Sequence, residues 1–325
     1  MIFITPPLRP LLRIVADNTR IHFMRGRYLG LIFSAILSIS SVVLFFYPGL
    51  NLGIDFKGGI VMEIHTPAPA DFNGIRAALT AAGLHEPGVQ RFGAPDQVAI
   101  RIEAQKTEAA TQTAVATVTA AVEKAQPGSR IERTDAVGAS VSSELFIDGM
   151  MALGLSLLMI LVYIWFRFEW QFAVGAVVTL ILDVTKAIGF LALTRFDFDL
   201  VMVGAILTII GYSTNDKVVV YDRMRENLRK YKSMPLRELI DLSINETLNR
   251  TLGTSMTLFL AALPLALWGG SALSGFAWVM MFGIVVGTSS SIFIAAPILL
   301  FLGEKQLRRE AKPLPPENAS PRKPA

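Results

Sequence analysis

Thr251 to Gly303 reads TLGTSMTLFLAALPLALWGGSALSGFAWVMMFGIVVGTSSSIFIAAPILLFLG, 53 residues without one charged side chain. A hydrocarbon core about 30 Å thick takes about 20 mainly apolar helical residues to cross. The run is too long for one span and long enough for two. Gly269-Gly270-Ser271 and Ser274-Gly275 supply the turn between them. Working outward, Leu200 to Tyr221 gives 22 apolar residues that carry Asp216 and Lys217, and Trp170 to Thr194 gives 25, interrupted by Asp183 and Lys186. Gly149 to Phe166 adds 18, and Leu29 to Tyr47 adds 19, closed by Pro48-Gly49. The pattern predicts a polytopic α-helical membrane protein with six transmembrane helices.

The composition agrees. Of 325 residues, 52% are hydrophobic and 17% charged, against about 25% charged in soluble domains, which excludes an ordinary soluble enzyme. The net charge of +4 is no nucleic-acid footprint, because the basic residues cluster beside the apolar runs. Without cysteine there is neither a disulfide nor a thiolate metal site. His22, His65 and His85 all lie outside the runs. No metal, cofactor or catalytic residue is expected, and no nucleotide-binding motif is present. The first run exceeds the ~7–15 residues of a signal-peptide core and no A-x-A-like site follows it, so it reads as an uncleaved anchor.

Orientation follows from Lys and Arg in the short flanks. Arg9, Arg13, Arg20, Arg25 and Arg27 precede the first span, opposed by Asp17 alone. Arg223, Arg225, Arg229, Lys230, Lys232 and Arg237 lie between the fourth and fifth, and Lys305, Arg308, Arg309, Lys312, Arg322 and Lys323 follow the sixth. Six spans put these three clusters on one side, the cytoplasm, with both termini there. The expected division is a basic N-terminus (1–28), a first span (29–48), an extracytoplasmic domain (49–148), a five-span bundle (149–303) with a basic cytoplasmic loop (222–249), and a proline-rich disordered tail (304–325).

The extracytoplasmic segment has its own periodicity. Ile54 to Ile64 is rich in strand formers, with a bulge expected at Gly58-Gly59. Asp71 to Ala82 reads as a helix capped by Asp71 or a neighbour and ended by Gly83. Val89–Phe92 and Gln97–Ile102 are strands around a Gly93–Asp96 turn, Thr107–Ala125 is a helix, and Arg130–Val137 a last strand. The order β-α-β-β-α-β is ferredoxin-like, which suits a spacer and a protein-binding domain equally.

The charges inside the spans carry the functional reading. An ionisable residue at depth costs about 2.5–3.5 kcal/mol on insertion scales and marks ion or substrate paths. Asp216 lies toward the cytoplasmic end of the fourth span, and Arg250, at the mouth of the fifth, is the cation at comparable depth. Their pairing reads either as a proton relay or as a static clamp. Lys217 is near enough to its helix end for the stem to snorkel. Asp183 and Lys186 share a helix face at i,i+3 and form either an internal pair or a set with Asp216. Two small-residue faces, Gly204/Thr208/Gly211/Asn215 and Gly283/Gly287/Ser291, read as packing seams. Pro264 permits a kink in the fifth span.

Leu52-Gly53-Ile-Asp55-Phe56-Lys-Gly58-Gly59 after the first span resembles the SecD/SecF family of bacterial protein-export membrane subunits. So does Gly211-Tyr-Ser-Thr-Asn215-Asp216-Lys-Val-Val-Val-Tyr-Asp222-Arg223-Met-Arg-Glu-Asn-Leu228, as does Asn245 to Thr251. The resemblance, strongest to the SecF branch, runs from about Asn18 to Gly303. It implies half of an RND-superfamily (resistance-nodulation-division) assembly in the inner membrane that pairs with SecD. It also implies association with the SecYEG channel and YajC, and use of the proton-motive force to draw unfolded preproteins outward. It places Asp216 and Arg250 at the family's proton-linked positions. The departures are Leu182 before Asp183, where the family commonly has His, and Lys186 and Lys217, where it usually has uncharged residues; they imply a rewired charge network. The competing readings are a proton-coupled secondary-transporter half and a passive scaffold.

Overall fold

The computed structural model describes residues 19–84, 87–91, 94–105 and 107–302. The expected disordered tail, most of the basic N-terminus, His85, Phe92 and Gly93 lie outside these residues. A 3-10 turn, Phe23–Arg25, leads into α1, Arg27–Phe46. The bundle continues with α5, Ala139–Arg167; α6, Trp170–Thr194; α7, Leu200–Lys230; and α8, Leu236–Trp268. It closes with α9, Gly270–Ser290, which runs through a π-helical turn, Ser291–Ala295, into α10, Ala296–Phe301.

Five helices among the described residues are long and apolar enough to cross a membrane: α1, α5, α6, α8 and the α9–α10 rod. The expected sixth, α7, is equally long but is not among them; it holds Asp216, Lys217 and a charged C-terminal end. Residues 222–249, expected as a loop, are mostly helix, with only Tyr231–Pro235 between α7 and α8. Charged side chains lower the mean hydropathy of a segment, but they do not stop a helix.

Between α1 and α5 lies the polar domain. β1, Asn51–Leu52, is followed by a single helical turn, α2, Ile54–Lys57, where strand was expected. Gly58 and Gly59 then take φ values of +72° and +136°. A side chain on Gly59 would stand 2.7 Å from the Ile102 carbonyl. The pair therefore ends α2 and admits β2, Gly59–His65, while the bulge falls at Glu63/Ile64. Next come α3, Phe72–Ala81; β3, Gly88–Arg91; β4, Gln97–Ile102; α4, Glu108–Ala125; and β5, Arg130–Val137. Asp71 caps α3 by accepting from the Gly74 N–H at 3.0 Å, as expected. The four strands form an antiparallel sheet in the order β3-β4-β2-β5. Alternation sends Ile60, Met62, Ile64, Val98 and Ile100 into one core with Ile75 and Leu79 of α3 and Val118 and Val122 of α4. The opposite face carries Glu63, Arg101, Arg133 and Asp135.

A second, two-stranded parallel ribbon joins domain to bundle. β1 pairs with β6, Asp197–Phe198, in the connection between α6 and α7. Gly53 N–H donates to Phe198 O at 2.8 Å, and Leu200 N–H, at the start of α7, donates to Asp55 Oδ2 at 3.0 Å. Arg101 of β4 pairs with Asp197. Phe56 packs against Phe146 and Phe198 with ring centroids 5.5 and 5.4 Å apart. Asp199 caps α7 through Met202 N–H at 2.9 Å. Burial, reinforced by the nearby Asp55 carboxylate, holds its carboxyl above the usual range.

Of the two small-residue faces, one packs inside the chain. A Cβ on Gly283 would collide with the Ile209 side chain, and one on Gly287 would stand 3.2 Å from Ser213, so α9 lies against α7 along this seam. Gly204 and Gly211 meet nothing within 4 Å and face out of the bundle. Gly283→Leu should therefore cost about 1–3 kcal/mol through overpacking, read as a lower thermal unfolding midpoint in detergent. Gly204→Leu should leave the midpoint of the isolated chain in place.

Candidate functional site

Along α7 and the α9–α10 rod, a polar layer separates two apolar clusters. Met202, Val203, Ile206, Ile209 and Ile210 belong to one cluster with Leu191 and Val279. Val220, Tyr221, Met224 and Leu228 belong to the other with Leu239, Ile244, Ile292 and Leu299. Between them sit Asp183, Lys186, Ser213, Asp216, Lys217, Thr251, Ser290 and Ser291, all buried.

Asp183 is the hub. Its Oδ2 accepts from Lys217 Nζ at 2.9 Å, Ser213 Oγ at 2.6 Å and Ser290 Oγ at 2.7 Å. Lys186 Nζ lies 3.8 Å from the other oxygen, Oδ1, which accepts no hydrogen bond among the described residues. α6 supplies the acid and one cation, α7 the second cation, and α7 and α9 the hydroxyls. The Asp183–Lys186 proximity expected from i,i+3 spacing is present, but the closer partner is Lys217. Lys217 does not snorkel: it is 1% exposed and turned inward. The expectation failed because reaching water leaves Asp183 without its nearest cation, and a buried charge keeps its place when paired and hydrogen-bonded.

Asp216, 4% exposed, lies beside this hub but outside it. Ser291 and Thr251 present hydroxyls to it, and Lys217 is the nearest charge acting on it. Its Oδ2 has no hydrogen-bond partner among the described residues. Arg250, expected to pair with it, is exposed and takes part in no ion pair among the described residues. The next residue, Thr251, faces Asp216 instead. One residue turns a helix by about 100°, so a match in depth is not a match in direction.

The other motif residues fall in three places. Gly53, Asp55, Phe56, Gly58 and Gly59 build the ribbon and its turn. Gly211 and Asn215 stand on the outward face of α7. Asp222 accepts two bonds from Arg167 Nη2 at 3.0 and 2.8 Å and one from Arg225 at 3.2 Å, and Arg223 donates to Glu246 at 2.7 Å and Glu226 at 2.6 Å. These tie the C-terminal ends of α5 and α7 to the N-terminal part of α8. Residue-by-residue reading missed Ser213, Thr251 and Ser290, because a single hydroxyl in an apolar helix carries little information. For Ser213 and Thr251 the i,i+4 spacing to Lys217 and Ser255 was the available signal, and Ser290 offered none. No His, Asp and Glu among the described residues cluster as a metal site.

Residues 117–305 match the family described as protein export membrane protein SecD/SecF, C-terminal, and residues 43–66 match the SecD/SecF GG motif. The chain is similar to protein translocase subunit SecF of Rickettsia felis, 41% identical over 300 residues that cover 92% of this chain and 97% of that one. It is similar to the same subunit of Rhodobacter capsulatus, 40% identical over 315 residues that cover 93% and 95%. Among solved structures it resembles SecDF of Thermus thermophilus, titled a translocon-associated membrane protein, with a TM-score of 0.80 and 29% identity over 89% of this chain and 39% of that one. It also resembles SecDF in its super-membrane-facing form, with a TM-score of 0.64 and 28% identity over 94% and 41%. The chain thus spans less than half the length of those SecDF chains.

Proposed function

The chain belongs to the SecD/SecF family of protein-export membrane proteins, and from that premise we propose that it is a Sec translocase subunit that uses the proton-motive force, through Asp216, to promote preprotein translocation. It is a multi-pass membrane protein by its span candidates and its family. The observation that carries the coupling role is the contrast between two buried acids. Asp183 is matched by two lysines, whereas Asp216 is buried with an oxygen that nothing among the described residues bonds. A carboxyl held this way can load a proton and give it up; one locked in an ion pair cannot do so without breaking the pair.

Several further observations support this role. α7 packs against α5, α6, α8 and α9, as a sixth span would. The β3-β4-β2-β5 order with two helices over one face supports a ferredoxin-like domain. The basic flanks support an inner-membrane protein with both termini in the cytoplasm. SecD is the partner best supported: the matched SecDF chains are more than twice as long as the aligned part, and this chain leaves an outward face of Gly204, Thr208, Gly211 and Asn215. Arg250, exposed and without a carboxylate among the described residues, is a charge that a second helical half would have to meet, so its role in coupling lies across that junction and not in a bond to Asp216. SecYEG, YajC and unfolded preproteins are the remaining partners in this reading, and the subunit hydrolyses nothing.

The test is reconstitution with SecD, SecYEG and the ATPase that starts translocation. An imposed proton gradient should speed completion of preprotein translocation several-fold. Gradient-driven efflux of a small dye, with preprotein unaffected, indicates a transporter half. A rate indifferent to the gradient indicates a scaffold.

A further inference from the structure

We propose that the hydroxyls of Tyr212, Ser255 and Thr288 form a proton relay that feeds Asp216 from the extracytoplasmic side, an inference that rests on the coupling role of Asp216 given above. Three helices each contribute two side chains, one helical turn apart, to a single column. On α7, Tyr212 precedes Asp216 by four residues; on α8, which runs the other way, Ser255 follows Thr251 by four; Thr288 of α9 precedes Ser291 by three. Residues three or four apart share a helix face, so the six side chains stack as two layers. The cytoplasmic layer is Asp216, Thr251 and Ser291. The outer layer is Tyr212, Ser255 and Thr288.

The three outer hydroxyls are bonded to one another, and Ser255 Oγ also donates to the Thr251 carbonyl at 2.8 Å. The Tyr212 hydroxyl is hydrogen-bonded to Ser255 Oγ, Ser255 Oγ lies 2.7 Å from Thr288 Oγ1, and Thr288 Oγ1 lies 3.4 Å from the Tyr212 hydroxyl. Most Ser and Thr hydroxyls in these helices bond to a carbonyl three or four residues back, as Thr208, Thr254 and Ser291 do, which is the ordinary fate of such groups. Tyr212 and Thr288 make no such bond among the described residues; there, their hydroxyls bond only within the layer. Ser255 and Thr288 are buried, and half-buried Tyr212 is the member that reaches toward the bundle surface.

The cytoplasmic layer holds the complementary feature. Thr251 Oγ1 and Asp216 Oδ2 are both buried and both without a hydrogen-bond partner among the described residues. Thr251 lies one turn from Ser255, whose Oγ donates to the Thr251 carbonyl at 2.8 Å, and its own hydroxyl is presented to Asp216, so the relay passes from layer to layer when Ser255 turns its O–H from that carbonyl to the Thr251 hydroxyl. A hydroxyl both donates and accepts. At each step an O–H bond forms on the receiving oxygen as one breaks on the oxygen that gives, and no electron changes hands. The last bond forms on the Asp216 carboxylate, and the hydroxyls are left neutral and reoriented.

The test uses the full chain reconstituted with SecD in vesicles, with inward proton flux read by an internal pH dye. Thr288→Val keeps the side-chain shape and removes the hydroxyl; it should slow flux about a hundredfold, the low end of what a positioned proton-transfer group contributes. Thr288→Ser, which restores the hydroxyl, should recover most of the flux. Ser255→Ala and Tyr212→Phe provide the same deletion at the other corners, should one variant fail to fold. Flux unchanged in the deletions, or lost equally in Thr288→Val and Thr288→Ser, overturns the relay; the second result marks a packing role. Asp216→Asn in the same vesicles separates the two claims. If it abolishes flux while the deletions do not, only the relay falls. If it carries full flux, the coupling role falls and the relay with it.

Discussion

Replacing Asp183 by leucine should destabilise the bundle by about 3–5 kcal/mol, the cost of breaking a buried ion pair from one side. The substitution leaves Lys217 and Lys186 buried without their shared counter-ion, and leaves Ser213 and Ser290 without the oxygen to which they donate. Lys217→Met should cost much less. It removes the closer cation but leaves Lys186 Nζ 3.8 Å from Asp183, and methionine fills a similar apolar volume. The asymmetry is the expected result, read as unfolding midpoints of the two variants in detergent. Equal losses would show that Lys186 does not share the charge of Asp183.

Asp216→Asn should abolish the gradient-dependent part of export while the protein stays folded. A charge that crosses a potential of 100 mV releases about 2.3 kcal/mol, and an amide cannot carry that proton. The side-chain volume is preserved, and the variant removes a buried carboxylate oxygen that nothing among the described residues bonds, so its unfolding midpoint should hold or rise. Export in cells should fall to the level of a strain lacking the subunit. Undiminished secretion would remove Asp216 from the mechanism, and a large drop in midpoint would recast it as a structural residue.

Most of the bundle is legible in the apolar runs alone, because crossing a membrane imposes a length and a composition that few other segments share. Turn residues place the elements of the polar domain nearly as well: Asp71, Thr107 and Pro127-Gly128 bound helices where their chemistry says they should. Depth is legible too, and it singles out Asp183, Lys186, Asp216 and Lys217. Direction is not. Whether Arg250 or Thr251 faces Asp216, and whether Lys217 turns to the interface or to Asp183, depends on how each helix is rotated about its axis. That rotation is set by contacts such as Gly283 on Ile209 and Gly287 on Ser213, which join residues more than 70 positions apart in the chain. The hydroxyl column is invisible for the same reason, since each member is unremarkable alone and acquires meaning only when three helices bring it to one level.

The ribbon of Asn51–Leu52 with Asp197–Phe198 sets a mechanical ratio. Sixteen residues separate Asp216 from Leu200, about 24 Å of helix at 1.5 Å per residue. If α7 pivots at Asp216 by about 5°, its far end sweeps about 2 Å, roughly the displacement that undoes a hydrogen bond. That end is fastened to Asp55 and Phe198, and through Asp197 to Arg101 in the sheet. A swing too small to repack the bundle would therefore arrive at the polar domain at full amplitude, like a short stroke delivered through a stiff crank.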